Sequence, residues 1–401
     1  MPATAAQVFG PVTVDPGFNT IGEKTLLTMN TTLPAGGKNV ILAVFMPSTT
    51  SVAARGSFRI KKNGTILTQT YISTEHFNVN FMRAKPLMLM AVDDTPSGND
   101  VYTFTINIAI ADSTSTSVHV QGMVIKTDDA AIAYNTIAVD IAGGATATVT
   151  SLTTNYPAGS KVVALAYIYA GRDGSGHAII GAGNVKLKLG ATVVSANQFT
   201  VGVYASTQPF RVNLGWGGVI ATGTQTWVAE ITNDTSVTLN AYAILVTFTV
   251  SDLAFLDTVS VSLSFGSQVT VGNLTTSLQG NVVVIAIASA ENISTSDVTA
   301  FNANDVVLQL NNSSIGQISN RVGWFIIRTG YSGRSGNLPL FRFDRGVTNP
   351  SYQVKMTARE NNIRGEAKIV AFTVAAIEVK TITDSGTGVE SVTVFANISV
   401  D

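Results

Sequence analysis

The sequence predicts an all-β chain: three tandem antiparallel β-sandwiches of jelly-roll type, followed by a C-terminal β-hairpin. Three observations predict it. First, the 401 residues repeat about three and a quarter times, with a period slightly above 120 residues. Second, an aromatic recurs in the same strand of each repeat: Tyr102 in Asp100-Val101-Tyr102-Thr103-Phe104, Trp227 in Gln225-Thr226-Trp227-Val228-Ala229, and Tyr352 in Pro350-Ser351-Tyr352-Gln353-Val354, each 125 residues apart. Third, strand-length apolar runs alternate with Gly, Pro and Asn turns, and no amphipathic helical pattern occurs. The repeat divides the chain into 1–131, 132–253 and 254–377, with a partial fourth repeat over 378–401.

Each repeat opens with a hairpin and a turn, Pro34-Ala35-Gly36-Gly37, Pro157-Ala158-Gly159-Ser160 or Leu278-Gln279-Gly280. A wholly apolar strand follows, Val40 to Phe45, which corresponds to Val162 to Tyr167 and to Val282 to Ile287. Unbroken apolar runs of this length predict strands covered on both faces. The next hairpin, Phe58 to Leu67, turns at Asn63-Gly64, a pair suited to two positive φ angles. Its counterparts turn near Gly190 and at Asn311-Asn312. Strands opening at Pro86, Pro209 and Pro339 come next, proline being tolerated at a strand's first residue. The aromatic strand and a closing partner, His119 to Val124, Asn240 to Leu245 or Glu366 to Ala371, complete about eight strands per repeat. That number fits a jelly roll. The alternative is an immunoglobulin-like sandwich, whose cysteine and core tryptophan signature is missing.

After Ala376 a first hairpin begins again and stands alone. Its edges need a partner. Two readings stay open: the hairpin packs on the third sandwich, or Val392, Val394, Phe395 and Ile398 add a strand to another subunit.

Composition narrows the function. Charged residues make up 12% of the chain and hydrophobic residues 45%, which predicts that neighbouring subunits cover much of the surface. Net charge is −1 with no basic stripe, so nucleic acid is not an expected partner. There is no cysteine. The amino terminus carries no secretory pattern, and the longest apolar runs are too short for a membrane span, so a soluble protein made in the cytoplasm is expected.

Candidate glycosylation sites are the sequons at Asn30, Asn63, Asn233, Asn273, Asn292, Asn311, Asn312 and Asn397. Asn30, Asn273 and Asn397 read as equivalent strand ends. No catalytic, cofactor or metal site is expected. His76, His119 and His177 lie in separate contexts, and His177 follows a glycine-rich loop without the makings of a triad. Asp93, Asp94 and Asp100 read as a solvated turn more than a calcium loop. Gly215-Trp216-Gly217-Gly218 reads as a turn with its tryptophan on its own sandwich. Arg321, Arg328, Arg334, Arg342 and Arg345, matched by acids in the same repeat, read as a paired surface.

The tandem all-β repeats, absent cysteine, Thr/Asn-rich strand edges and sequons resemble the turret, spike and vertex proteins of archaeal icosahedral viruses, including the Sulfolobus turreted icosahedral virus group. The resemblance implies a multimeric, glycosylated structure on a virion surface. Its partners would be further copies of the chain, other structural proteins of the same assembly and host surface glycans. It assigns no functional residue. The alternatives from other classes are a subunit of an extracellular filament or surface layer joined by strand donation, and a carbohydrate-binding module.

Overall fold

A computed structural model describes residues 2–17, 19–47, 55–71, 86–110, 118–171, 181–201, 210–220, 223–257, 260–292, 303–311, 313–323, 333–334, 337–358 and 363–377. These residues form strands and turns, with no helix among them. The first set of strands is β1 (Ala5–Val14), β2 (Gly22–Asn30), β3 (Lys38–Pro47), β4 (Arg55–Lys62), β5 (Thr65–Tyr71), β6 (Leu87–Asp93), β7 (Val101–Ile110) and β8 (Val118–Thr127). The second is β9 (Ala131–Tyr134), β10 (Val139–Ile141), β11 (Thr146–Tyr156), β12 (Lys161–Gly171), β13 (Gly181–Leu189), β14 (Thr192–Val201), β15 (Phe210–Val219), β16 (Gly223–Asn233) and β17 (Leu239–Val250). The third is β18 (Leu253–Leu256), β19 (Val261–Leu263), β20 (Gln268–Thr275), β21 (Gln279–Asn292), β22 (Ala303–Leu310), β23 (Ser313–Gly323), β24 (Gly333–Arg334), β25 (Leu338–Thr348), β26 (Ser351–Thr357) and β27 (Ile363–Val374), after which β28 (Ala376–Ile377) pairs in parallel with β1.

Every set has the connectivity of a jelly roll. In the first, the sheet β1-β8-β3-β6 faces the sheet β2-β7-β4-β5. The second repeats this with β10-β17-β12-β15 and β11-β16-β13-β14, and the third with β27 beside β21, which is flanked by β25, over β20-β26-β22-β23. This strand order is a double Greek key and replaces the immunoglobulin-like alternative. Tyr102, Trp227 and Tyr352 occupy one position in the three sandwiches, opposite Met29, Leu152 and Leu274, and all three are fully buried.

The apolar central strands are covered on both faces, as their sequence requires. Along β12 the alternation divides the strand between two cores. Val162, Ala164, Ala166, Ile168 and Ala170 face the second sandwich's own interior, whereas Val163, Leu165, Tyr167 and Tyr169 join a core shared with the other two sandwiches. Strand pairing makes Val40 the counterpart of Val163 and Val283, one residue on from the alignment expected from sequence.

The second faces are thus covered from within the chain. The edge strand β6 of the first sandwich packs on β17 and β9 of the second, β15 of the second on β27 and β18 of the third, and β25 of the third on β8 and β1 of the first. The same head-to-tail contact recurs three times and closes into a ring with pseudo-threefold order. The opposite sheets face outward and are polar. On the second sandwich, Thr146 pairs with Thr232 and Thr153 with Thr226 through their hydroxyls, and Lys186 and Lys188 flank Glu230.

Candidate interaction surfaces

Each seam of the ring has its own chemistry. Between the third and first sandwiches, the buried Gln121 donates to the Phe341 carbonyl at 2.8 Å and accepts from the Phe341 amide at 3.1 Å. An edge strand buried against a neighbour would leave those two groups unpaired, and the glutamine satisfies both. Between the second and third, Asn213 donates to the Asn337 carbonyl at 2.5 Å and Asn337 returns a bond to the Asn213 carbonyl at 2.9 Å. Phe248 meets Phe372 edge-on, with ring centroids 5.7 Å apart. The amino-terminal segment joins the first two sandwiches, the Ala3 amide donating to the Thr249 carbonyl at 2.8 Å, while Ala375 donates to the Thr4 carbonyl at 2.9 Å. Neither Gln121 nor the reciprocal asparagines carried a readable signal in the sequence, because their partners are backbone groups more than a hundred residues away.

The sequons fall into distinct environments. Asn30 and Asn273 are exposed on outer sheets, but they are not equivalent: Asn30 pairs with Val101 and Asn273 with Gln353, two residues apart in register about the shared aromatic position. Asn63 and Asn311 are exposed and have φ angles of 47°, so turn geometry alone accounts for asparagine there. Asn233 departs from the expectation of a modification site. It is fully buried, its Nδ2 donates to the carbonyls of Ile141, Ala142 and Val237, and its Oδ1 accepts from the amide and hydroxyl of Thr235. The folded chain does not present this side chain to a modifying enzyme. Asn292 ends β21. Asn312, Asn397 and the hairpin residues Val392, Val394, Phe395 and Ile398 lie outside the described residues, as do His76 and His177.

The charged candidates are paired. Lys62 lies 2.7 Å from Asp93 and 3.4 Å from Asp100, and Lys38 lies 2.8 Å from Asp94. Tyr102 donates to Asp93 at 2.6 Å, and Ser97 binds Asp100 through its amide and hydroxyl. These acids do not converge on a cation site, and among the described residues no group of three or more His, Asp or Glu could hold a metal. Burial, then the Asp93 carboxylate, pushes the Tyr102 hydroxyl pKa well up. Burial lowers that of His119, whose Nδ1 lies 2.8 Å from the Thr13 hydroxyl. Trp216 lies on a strand, not in a turn, and packs on Trp227 at 5.4 Å. Arg342 is buried against Asp344 at 2.7 Å, and Arg345 stacks over Phe343 at 5.5 Å. The side chains of Arg321, Arg328 and Arg334 lie outside the described residues. Among the described residues no helix is long and apolar enough to cross a membrane.

No protein-family model matches the chain, and no curated protein sequence matches it. Solved structures give distant likenesses. PNGF-II shares 11% identity over 62% of this chain, with a TM-score of 0.28, and the chain spans 65% of that structure. The turret protein of an archaeal virus, described as a triple jelly roll, shares 10% identity over 88% of this chain and 83% of its own length, with a TM-score of 0.18. The infectious bursal disease virus VP2 subviral particle shares 8% over 93% and 81%, with a TM-score of 0.22. Likenesses this distant carry no functional argument. The strand order itself identifies the chain as an all-β protein of antiparallel jelly-roll sandwiches.

Proposed function

We propose that the chain is a non-enzymatic structural subunit of a virion, building a multimeric turret, spike or capsid-vertex assembly at the virion surface. The observation that carries this reading is the ring itself: three jelly rolls, a fold common among viral capsid domains, locked head to tail by apolar seams with their polar sheets outward. A rigid block of this kind suits construction more than chemistry. Low charge supports further packing, since only 12% of residues are charged even though the ring's seams account for part of the covered surface. Its partners are further copies of the chain and other structural proteins of the same assembly, with no role for nucleic acid.

Electron microscopy of the full chain at raised concentration, with mass photometry alongside, tests the proposal. Closed rings of chains, pentamers or stalks are expected. Open filaments would replace it with a surface filament, and monomers under every condition would overturn it.

A further inference from the structure

The three seams are not filled alike. Pairing with the central strand places Met88, Met90 and Val92 of β6, Asn213, Gly215 and Gly217 of β15, and Pro339, Phe341 and Phe343 of β25 at corresponding positions. Two seams therefore receive large apolar side chains, and the middle one receives an asparagine and two glycines. A Cβ on Gly217 would stand 3.2 Å from Val370, and one on Gly215 would stand 3.0 Å from Ile287. Where β15 lacks side chains, the third sandwich presents β27, whose seam face turns from Val370 to Lys368 and Glu366. Beside this contact, and sharing Ile287 with it, a cleft of about 420 Å³ lies between β14 of the second sandwich and β21 and β27 of the third.

Its walls carry Ser195, Ser289, Asn337, Glu366 and Lys368 around the aliphatic Ile287. Ser195 is 3% exposed and Asn337 is 2% exposed, yet among the described residues Ser195 Oγ and Asn337 Oδ1 have no hydrogen-bond partner. Buried polar atoms are usually paired, and these two belong to residues that line the cleft. Lys368 is ion-paired with Asp257, and Ser260 donates to Glu366 at 2.5 Å. Among the described residues two carboxylates against one ammonium leave the lining at −1, which opposes an anion. Hydroxyls, an amide and a carboxylate together offer both donors and acceptors, the set that matches groups able to give and to take a hydrogen bond. The volume lies in the range of small-ligand sites.

We propose that this cleft binds a neutral, hydroxyl-rich ligand, a saccharide residue of a glycan, held between the second and third sandwiches. The site stands independently of the assembly reading, since it predicts binding by the isolated chain. The test is saturation-transfer NMR and calorimetry on the full chain with a panel of neutral mono- and disaccharides, with N-acetylneuraminic acid and calcium as comparators. Ser289→Met fills the cleft, Glu366→Gln keeps its shape while weakening an acceptor, and Thr153→Ala on the far sheet is the control. A neutral sugar is expected to bind the native chain and the control alike, with affinity lowered about tenfold or more in Ser289→Met and Glu366→Gln. Should Ser289→Met not fold, Glu366→Gln decides. Absence of binding by every neutral sugar, binding only of the acidic sugar or of calcium, or binding unchanged in both variants would overturn the proposal.

Discussion

Tyr102 donates its hydroxyl to Asp93 at 2.6 Å, and in the second sandwich, where Trp227 stands in place of Tyr102, the position of Asp93 is held by Gly218. The third sandwich restores both residue types, Tyr352 and Asp344, but there Asp344 is ion-paired with Arg342 at 2.7 Å. The chain thus carries its own comparison. The Tyr102 phenol has its acceptor in Asp93, whereas the indole of Trp227 donates sideways to Tyr156 at 3.1 Å and the vacated space takes Trp216 beside Gly218. The two positions are therefore expected to be coupled. Tyr102→Phe and Asp93→Asn should each destabilise the fold, and the double variant should cost less than their sum by about 1 kcal/mol. Urea denaturation of the four proteins in the cycle measures the coupling, and strict additivity would contradict it.

The same carboxylate sets a pH dependence. Burial alone would raise the Asp93 pKa, but Lys62, Tyr102 and the Thr95 amide together hold it below its ordinary 3.8. A depressed folded pKa contributes stability that is present above the unfolded pKa and is lost as pH falls through the folded value. Thermal stability should hold through neutral pH and fall below about pH 4. Asp93→Asn should flatten part of that fall, which differential scanning calorimetry across pH would reveal.

Gln121 is expected to hold the ring's closing seam. Gln121→Ala removes both bonds to Phe341 and strands a buried amide and carbonyl, at a cost of about 2–3 kcal/mol. Hydrogen exchange should rise first along β25 and β8. Uniform loosening of all three sandwiches would mean that the glutamine acts on global stability and not on that seam.

Sequon occupancy should divide by burial. In a host that modifies asparagine, peptide mapping of native protein should find Asn233 bare whatever the state of Asn30, Asn63, Asn273 and Asn311. Asn233→Gln should destabilise by about 2–4 kcal/mol, because a longer side chain cannot serve the three carbonyls it now caps. Asn30→Gln, on an exposed strand end, should fall within about 0.5 kcal/mol of the native chain.

The repeat, the strands and the jelly-roll connectivity were legible because local pattern carries them. The even spacing of Tyr102, Trp227 and Tyr352 marks one site in three sandwiches, and the run from Val40 to Phe45 announces a strand covered on both sides. What supplied the second cover was not legible. It comes from β6, β15 and β25 of the same chain, and a packing partner far along the sequence leaves no periodic trace. The alternation at Gly215-Trp216-Gly217 was visible but read as a turn. It is a strand whose tryptophan faces its own core and whose glycines face the next sandwich. The sequons at Asn63 and Asn311 illustrate the opposite hazard, since left-handed turn geometry is sufficient to place asparagine there.

Covalent linkage of the three rolls frees them from identity. In a trimer of separate rolls, one gene would write every seam, so a glycine at the position of Gly215 would recur in all three contacts together. Here Met90, Gly215 and Phe341 diverge at a single structural address. Each joint can be filled by its own set of side chains, and dilution cannot scatter the ring because its members share one backbone.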